Sequence, residues 1–75
     1  MKELLDYLAR KLVEHPEAVE VDEIDGDRSV ILELRVDPDD MGRVIGRQGR
    51  VAQALRSLIK AAGSRDGRRV TVEIL

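Results

Sequence analysis

The 75 residues carry 43% hydrophobic and 37% charged side chains, enough apolar material for one small folded domain and too much for a disordered chain. Cysteine, Phe and Trp are absent and Tyr7 is the single aromatic, so disulfide frameworks and thiolate metal sites are excluded and the core has to be aliphatic. The formal net charge of −2 argues at first against a nucleic-acid partner.

In chain order, Leu4, Leu5, Leu8, Leu12 and Val13 recur at helical spacing between charged residues, which predicts an amphipathic helix ended by His15-Pro16. Met1-Lys2-Glu3-Leu4-Leu5-Asp6 breaks charges into this stretch and lacks a small-residue cleavage pattern, so it does not read as a secretory signal. No apolar run approaches bilayer length, and a cytoplasmic address without a membrane partner is expected. Val19, Val21 and Ile24 suggest a short strand, and Asp25-Gly26-Asp27 is a hairpin turn signal. Val30, Leu32, Leu34 and Val36 then alternate with Ile31, Glu33 and Arg35 as the clearest strand in the chain. Asp37-Pro38-Asp39-Asp40 has the chemistry of a helix start, and a short helix over 38–45 is interrupted by Gly46-Arg47-Gln48-Gly49. Val51, Leu55, Leu58, Ile59 and Ala62 define a second amphipathic helix from Arg50, for which Gly63 is a candidate C-terminal cap. Ser64-Arg65-Asp66-Gly67 reads as a loop, and Val70, Val72 and Ile74 alternate as a final strand. The expected fold is one α+β domain over residues 1–75, with helices packed on one face of a three-stranded sheet.

Charge is segregated along this order. Residues 1–40 hold five basic side chains against thirteen acids, a balance of −8, whereas residues 41–75 hold eight against Asp66 and Glu73, a balance of +6. Fields act within a Debye length of about 8–10 Å, so a basic half attracts phosphate although the whole molecule is acidic.

The glycine tetrapeptide sits within that basic half. Glycine at both ends permits positive φ and lets another molecule's backbone approach without meeting a Cβ. The amino end of the following helix favours an anion, and Arg43, Arg47 and Arg50 surround the same corner with donors suited to phosphate. Two glycines at this spacing also serve a plain corner between helices, so the functional reading draws on their context: Val44-Ile45 before the loop and an amphipathic helix after it.

Val44-Ile45-Gly46-Arg47-Gln48-Gly49-Arg50 resembles the I-G-x-x-G signature of KH domains, in which a GXXG loop clamps about four nucleotides of backbone. The order of elements, α-β-β-α-α-β, is similar to the type II KH arrangement. Over essentially all 75 residues the chain resembles the KhpA-like small bacterial proteins that consist of one KH domain. Its tetrapeptide differs from many KH loops in carrying Arg47 and Gln48 where those have lysine or a further glycine. The resemblance implies single-stranded RNA binding, with Gly46, Arg47, Gln48 and Gly49 on the sugar-phosphate backbone. Val44, Ile45 and Val51 would form an aliphatic groove for bases, and Arg43 and Arg50 would add charge at its edge. It also implies a cytoplasmic RNA chaperone or post-transcriptional regulator with a link to cell shape. The implied partners are a second copy, as a homodimer, or a larger KhpB-type KH protein, as a heterodimer.

The remaining signals are consistent with a non-enzyme. RNA-binding modules that stack bases need aromatic platforms, which Tyr7 alone does not supply, whereas an aliphatic groove suits this composition. His15 is expected at a solvent-exposed helix end, and without Cys or a second His neither a metal site nor a cofactor is expected. Ser29, Ser57 and Ser64 lie in no nucleophile motif, so no catalytic residue is assigned. Two other readings remain open: an assembly subunit whose glycine corner is structural, and helix-turn-helix DNA binding through Gln53, Arg56, Ser57 and Lys60.

Overall fold

A computed structural model describes residues 1–63 and 67–75. The described residues form α1 (Lys2–Leu12), β1 (Glu20–Asp25), β2 (Ser29–Arg35), α2 (Met41–Ile45), α3 (Arg50–Gly63) and β3 (Arg69–Ile74), the order expected from the sequence. The Ser64-Arg65-Asp66 part of the expected loop lies outside the described residues.

The sheet has the order β1-β2-β3, with β1 antiparallel and β3 parallel to the central β2. A hairpin suffices for the first pairing, closed by the Gly26 N–H donating to the Ser29 carbonyl at 2.7 Å. The parallel pairing needs a crossover, and α2, the glycine loop and α3 supply it. Register puts Val21 opposite Leu34 and Leu32 opposite Val72, so the alternating apolar residues of the strands share one face. Against that face pack Leu5 and Ala9 of α1, Val44 of α2, and Leu55 and Ile59 of α3, all buried. The opposite face carries Glu20, Asp22, Glu33, Arg35, Thr71 and Glu73 by the same alternation.

Two boundaries differ from the sequence expectation, each for a tertiary reason. Helix α1 stops at Leu12, with Val13 already extended, well before Pro16. The backbone beyond it is captured by Asp40, whose carboxylate accepts the amides of Glu14 at 3.1 Å and His15 at 3.0 Å. Asp40 is 1% exposed, so it is a buried staple between the α1 exit and the start of α2, not one more surface acid favoured by a helix dipole. Asp37 does behave as a cap, accepting the Asp39 amide at 2.9 Å at the head of a single 3-10 turn, Pro38–Asp40, that leads into α2.

Gly63 is the second case. It is the last residue of α3 and its φ lies outside the left-handed region, so it is not the cap that its position suggests. A Cβ there would stand 2.2 Å from Cγ2 of Val70. The glycine is required because helix and strand meet at that point, and any side chain would push them apart.

Candidate nucleic-acid interface

Helix α2 is ended by Gly46, at φ 75° and ψ 174°, whose amide donates back to the Gly42 carbonyl at 2.8 Å. One 3-10 turn, Arg47–Gly49, then re-aims the chain into α3, with the Gly49 amide on the Gly46 carbonyl at 3.1 Å and the Arg50 amide on the Arg47 carbonyl. Gln48 sits at φ 57° and is the one non-glycine residue with positive φ among the described residues; Gly49 follows at φ 74°. A side-chain-bearing residue in this region costs about 1–2 kcal/mol, which marks the loop as held in shape by its surroundings.

The two glycines are there for different reasons. A Cβ on Gly46 would lie 2.4 Å from Cγ2 and 2.9 Å from the amide nitrogen of Val51, so the missing side chain is replaced by the first turn of α3 itself. A Cβ on Gly49 would meet nothing within 4 Å. Open approach for an outside backbone therefore exists at Gly49 and not at Gly46, which corrects the symmetrical reading of the motif. Among the described residues the amides of Arg47 and Gln48 donate to no backbone carbonyl, which leaves two donors on exposed residues beside α3's amino end.

The predicted side chains fall into three groups. Arg47, Gln48 and Arg50 are exposed, and among the described residues neither arginine enters an ion pair. Ile45, 37% exposed, and Val51, partly buried under Gly46, offer aliphatic surface beside the loop. Arg43 and Val44 are placed otherwise. Val44 is fully buried in the core, so it supports the loop from below and has no surface to offer a base. The Arg43 guanidinium is hydrogen-bonded to Glu14 and lies 3.8 Å from the Asp40 carboxylate, so its charge is engaged within the chain. Glu14 and Asp40 are the residues sequence reading missed: Asp40 reads as one more acid at a helix start, and the partners of both lie far away in the chain.

Three further features bear on chemistry. On α3, Gln53, Arg56 and Lys60 recur on one flank, and Arg56 reaches over to donate to the Val72 carbonyl at 3.3 Å, which locates that flank beside β3. The other flank faces α1 across an apolar hollow of about 220 Å³, lined by Leu8, Leu12, Val51, Ala54 and Leu58 among others. His15, Asp37 and Asp39 each bring a ligand-type atom within 4.8 Å of the others, a grouping their separation in sequence hides. Asp37 is already occupied there as the cap of the 3-10 turn.

The family model described as "KhpA/KhpB, KH domain" matches residues 2–74. The chain belongs to the KhpA/KhpB KH-domain family. Among its relatives, RNA-binding protein KhpA of Caldanaerobacter subterraneus is 56% identical over 75 residues and covers both chains in full. The proteins of the same name from Clostridium acetobutylicum and Aquifex aeolicus are 53% and 47% identical, each over the whole of this chain and over 100% and 95% of their own lengths. Among solved structures, Aquifex aeolicus Era bound to GDP and AlF4− superposes with a TM-score of 0.69 at 20% identity, over 97% of this chain and 28% of Era. An Era complex with MgGDPNP and nucleotides 1506–1542 of 16S ribosomal RNA gives the same TM-score at 21% identity, over 97% of this chain and 28% of that one. These two likenesses concern the fold, and the chain spans little more than a quarter of Era's length. The architecture is thus a type II KH fold, and the KH family is one of nucleic-acid-binding modules and not of enzymes.

Proposed function

We propose that this chain binds single-stranded RNA through the Gly46–Gly49 loop. The observation that carries the reading is the loop's conformation: open space over Gly49, amides at Arg47 and Gln48 that donate to no backbone carbonyl, and Arg47 and Arg50 in no ion pair among the described residues, beside a helix amino end. Phosphate oxygens fit that set, since it combines backbone donors, a favourable dipole end and two planar cations. Ile45 and Val51 then offer aliphatic surface to the adjacent bases. The relatives that share its full length carry the name RNA-binding protein, which supports the same reading.

The expected behaviour is modest, salt-sensitive affinity, because one small loop neutralises few phosphates. Fluorescence anisotropy with labelled single-stranded RNA tests it on the wild type and on Arg47→Asp combined with Gln48→Asp, both checked for folding by circular dichroism. The doubly substituted chain is expected to lose at least tenfold in affinity; equal binding by a folded variant would rule the loop out as the cradle. Duplex DNA in the same assay addresses the helix-turn-helix reading.

The proposal extends to a cytoplasmic RNA chaperone or post-transcriptional regulator acting with a second KH chain, either another copy or a larger KhpB-type protein. Exposed apolar surface favours such pairing: Leu58, 54% exposed, lines the hollow between α1 and α3, and Tyr7 on α1 is 58% exposed. Light scattering across a concentration series reads this directly. Leu58→Glu should abolish self-association, and a wild type that stays monomeric at high concentration would contradict the homodimer.

A further inference from the structure

A second cleft, of about 700 Å³, lies at the far end of α3 from the glycine loop. Its walls come from separate elements: Arg28 and Ser29 where the hairpin enters β2, Lys60 from the last turns of α3, and Arg68 and Arg69 where β3 begins. Among the described residues Arg28, Lys60 and Arg69 enter no ion pair, while Arg68 is shared with Asp25 and the Gly26 carbonyl, each at 3.4 Å. Asp27 is the other acid of that hairpin connection, so among the described residues four basic residues line the cleft and the hairpin beside it holds two acids. The sequence conceals this convergence, because Arg28 belongs to the acidic half of the chain and reaches the basic half only through the β2–β3 pairing, in which its carbonyl accepts the Arg69 amide at 2.9 Å.

We infer that this cleft is a second phosphate-binding site, which holds the same RNA strand about four nucleotides beyond the glycine loop; the inference rests on the RNA-binding reading above. The spacing follows from helix geometry. Arg50 and Lys60 are ten residues apart on one helix, about 15 Å along its axis. A stacked single strand advances about 3.4 Å per nucleotide, so about four steps separate the two sites. Gln53, Arg56 and Lys60 mark a polar track along α3 between them, on the flank that faces β3. The loop and the cleft thus bracket a strand of about eight nucleotides, roughly twice what a GXXG loop alone clamps.

Anisotropy titrations with a 4-nucleotide and a 10-nucleotide oligouridine test the second site. In Arg28→Gln, Lys60→Gln, Arg69→Gln the 10-mer is expected to lose about tenfold or more in affinity, and its salt slope to become shallower by about 2, while the 4-mer binds as before. Lys60→Gln alone, at an exposed helical position, should make the slope shallower by about 0.7 and serves if the triple variant does not fold. Unchanged 10-mer affinity and slope in these variants, while Arg47→Asp with Gln48→Asp abolishes binding of both oligonucleotides, would overturn the second site alone. A wild type that binds neither oligonucleotide would overturn the RNA-binding reading and the second site with it.

Discussion

Gly46 and Gly49 look equivalent as letters and differ in what surrounds them. Gly46→Ala would place a methyl group 2.4 Å from Val51 Cγ2 at a φ of 75°, so it should destabilise the fold by about 2 kcal/mol or more in urea melts. Gly49→Ala meets no neighbour and should cost about 1 kcal/mol from φ alone, yet it puts a methyl group on the surface that the loop leaves open. The expected pair of results is a Gly49→Ala chain that folds but binds RNA more weakly, and a Gly46→Ala chain whose loss begins with stability. Asp40 illustrates the same lesson for an acid. Asp40→Ala strips two part-buried amides of their acceptor, so a loss of about 1–3 kcal/mol is expected by denaturant unfolding, with Asp40→Asn losing less because one acceptor oxygen remains. Equal stability of Asp40→Ala and wild type would remove the staple from the account.

Among the elements, the legible ones are those whose side chains follow one period. The alternation of β2 and the helical spacing of α3 emerge as read, because each buries one face against the same core. The glycine loop is legible for a related reason: no continuous helix accommodates Gly46-Arg47-Gln48-Gly49, and the structure breaks there. What escaped the sequence depends on contacts between distant elements. The early end of α1 is set by Asp40, the engagement of Arg43 by Glu14, and the need for Gly63 by Val70. The KH resemblance implies a groove role for Val44, and its full burial in the core between α2 and the sheet leaves it no surface for a ligand. Gly63→Ala checks the α3–β3 contact: a methyl group 2.2 Å from Val70 should destabilise by about 1–3 kcal/mol in thermal or urea unfolding, although alanine is the better helix former.

For the whole molecule, a net charge of −2 is a poor guide to its partners. The exposed face of the sheet carries Glu20, Asp22, Glu33 and Glu73 against Arg35 and Arg69, while the glycine loop and the cations of α3 lie in the helical layer on the other side. A sheet and the layer packed on it are separated by about 10 Å, close to the Debye length at physiological salt, so the acidic face does little to cancel the basic one there. At low salt the screening is weaker, yet RNA binding should still strengthen as salt falls, since counterion release from the strand dominates. The most direct test of the central claim is amide chemical-shift mapping of the 15N-labelled chain during titration with a 4-nucleotide single-stranded RNA. The account predicts the largest shifts at Arg47, Gln48, Gly49 and Arg50, with Glu20, Asp22 and Glu33 unmoved. Largest shifts on the sheet's outer face or on α1, or none at the loop at saturating RNA, would contradict it.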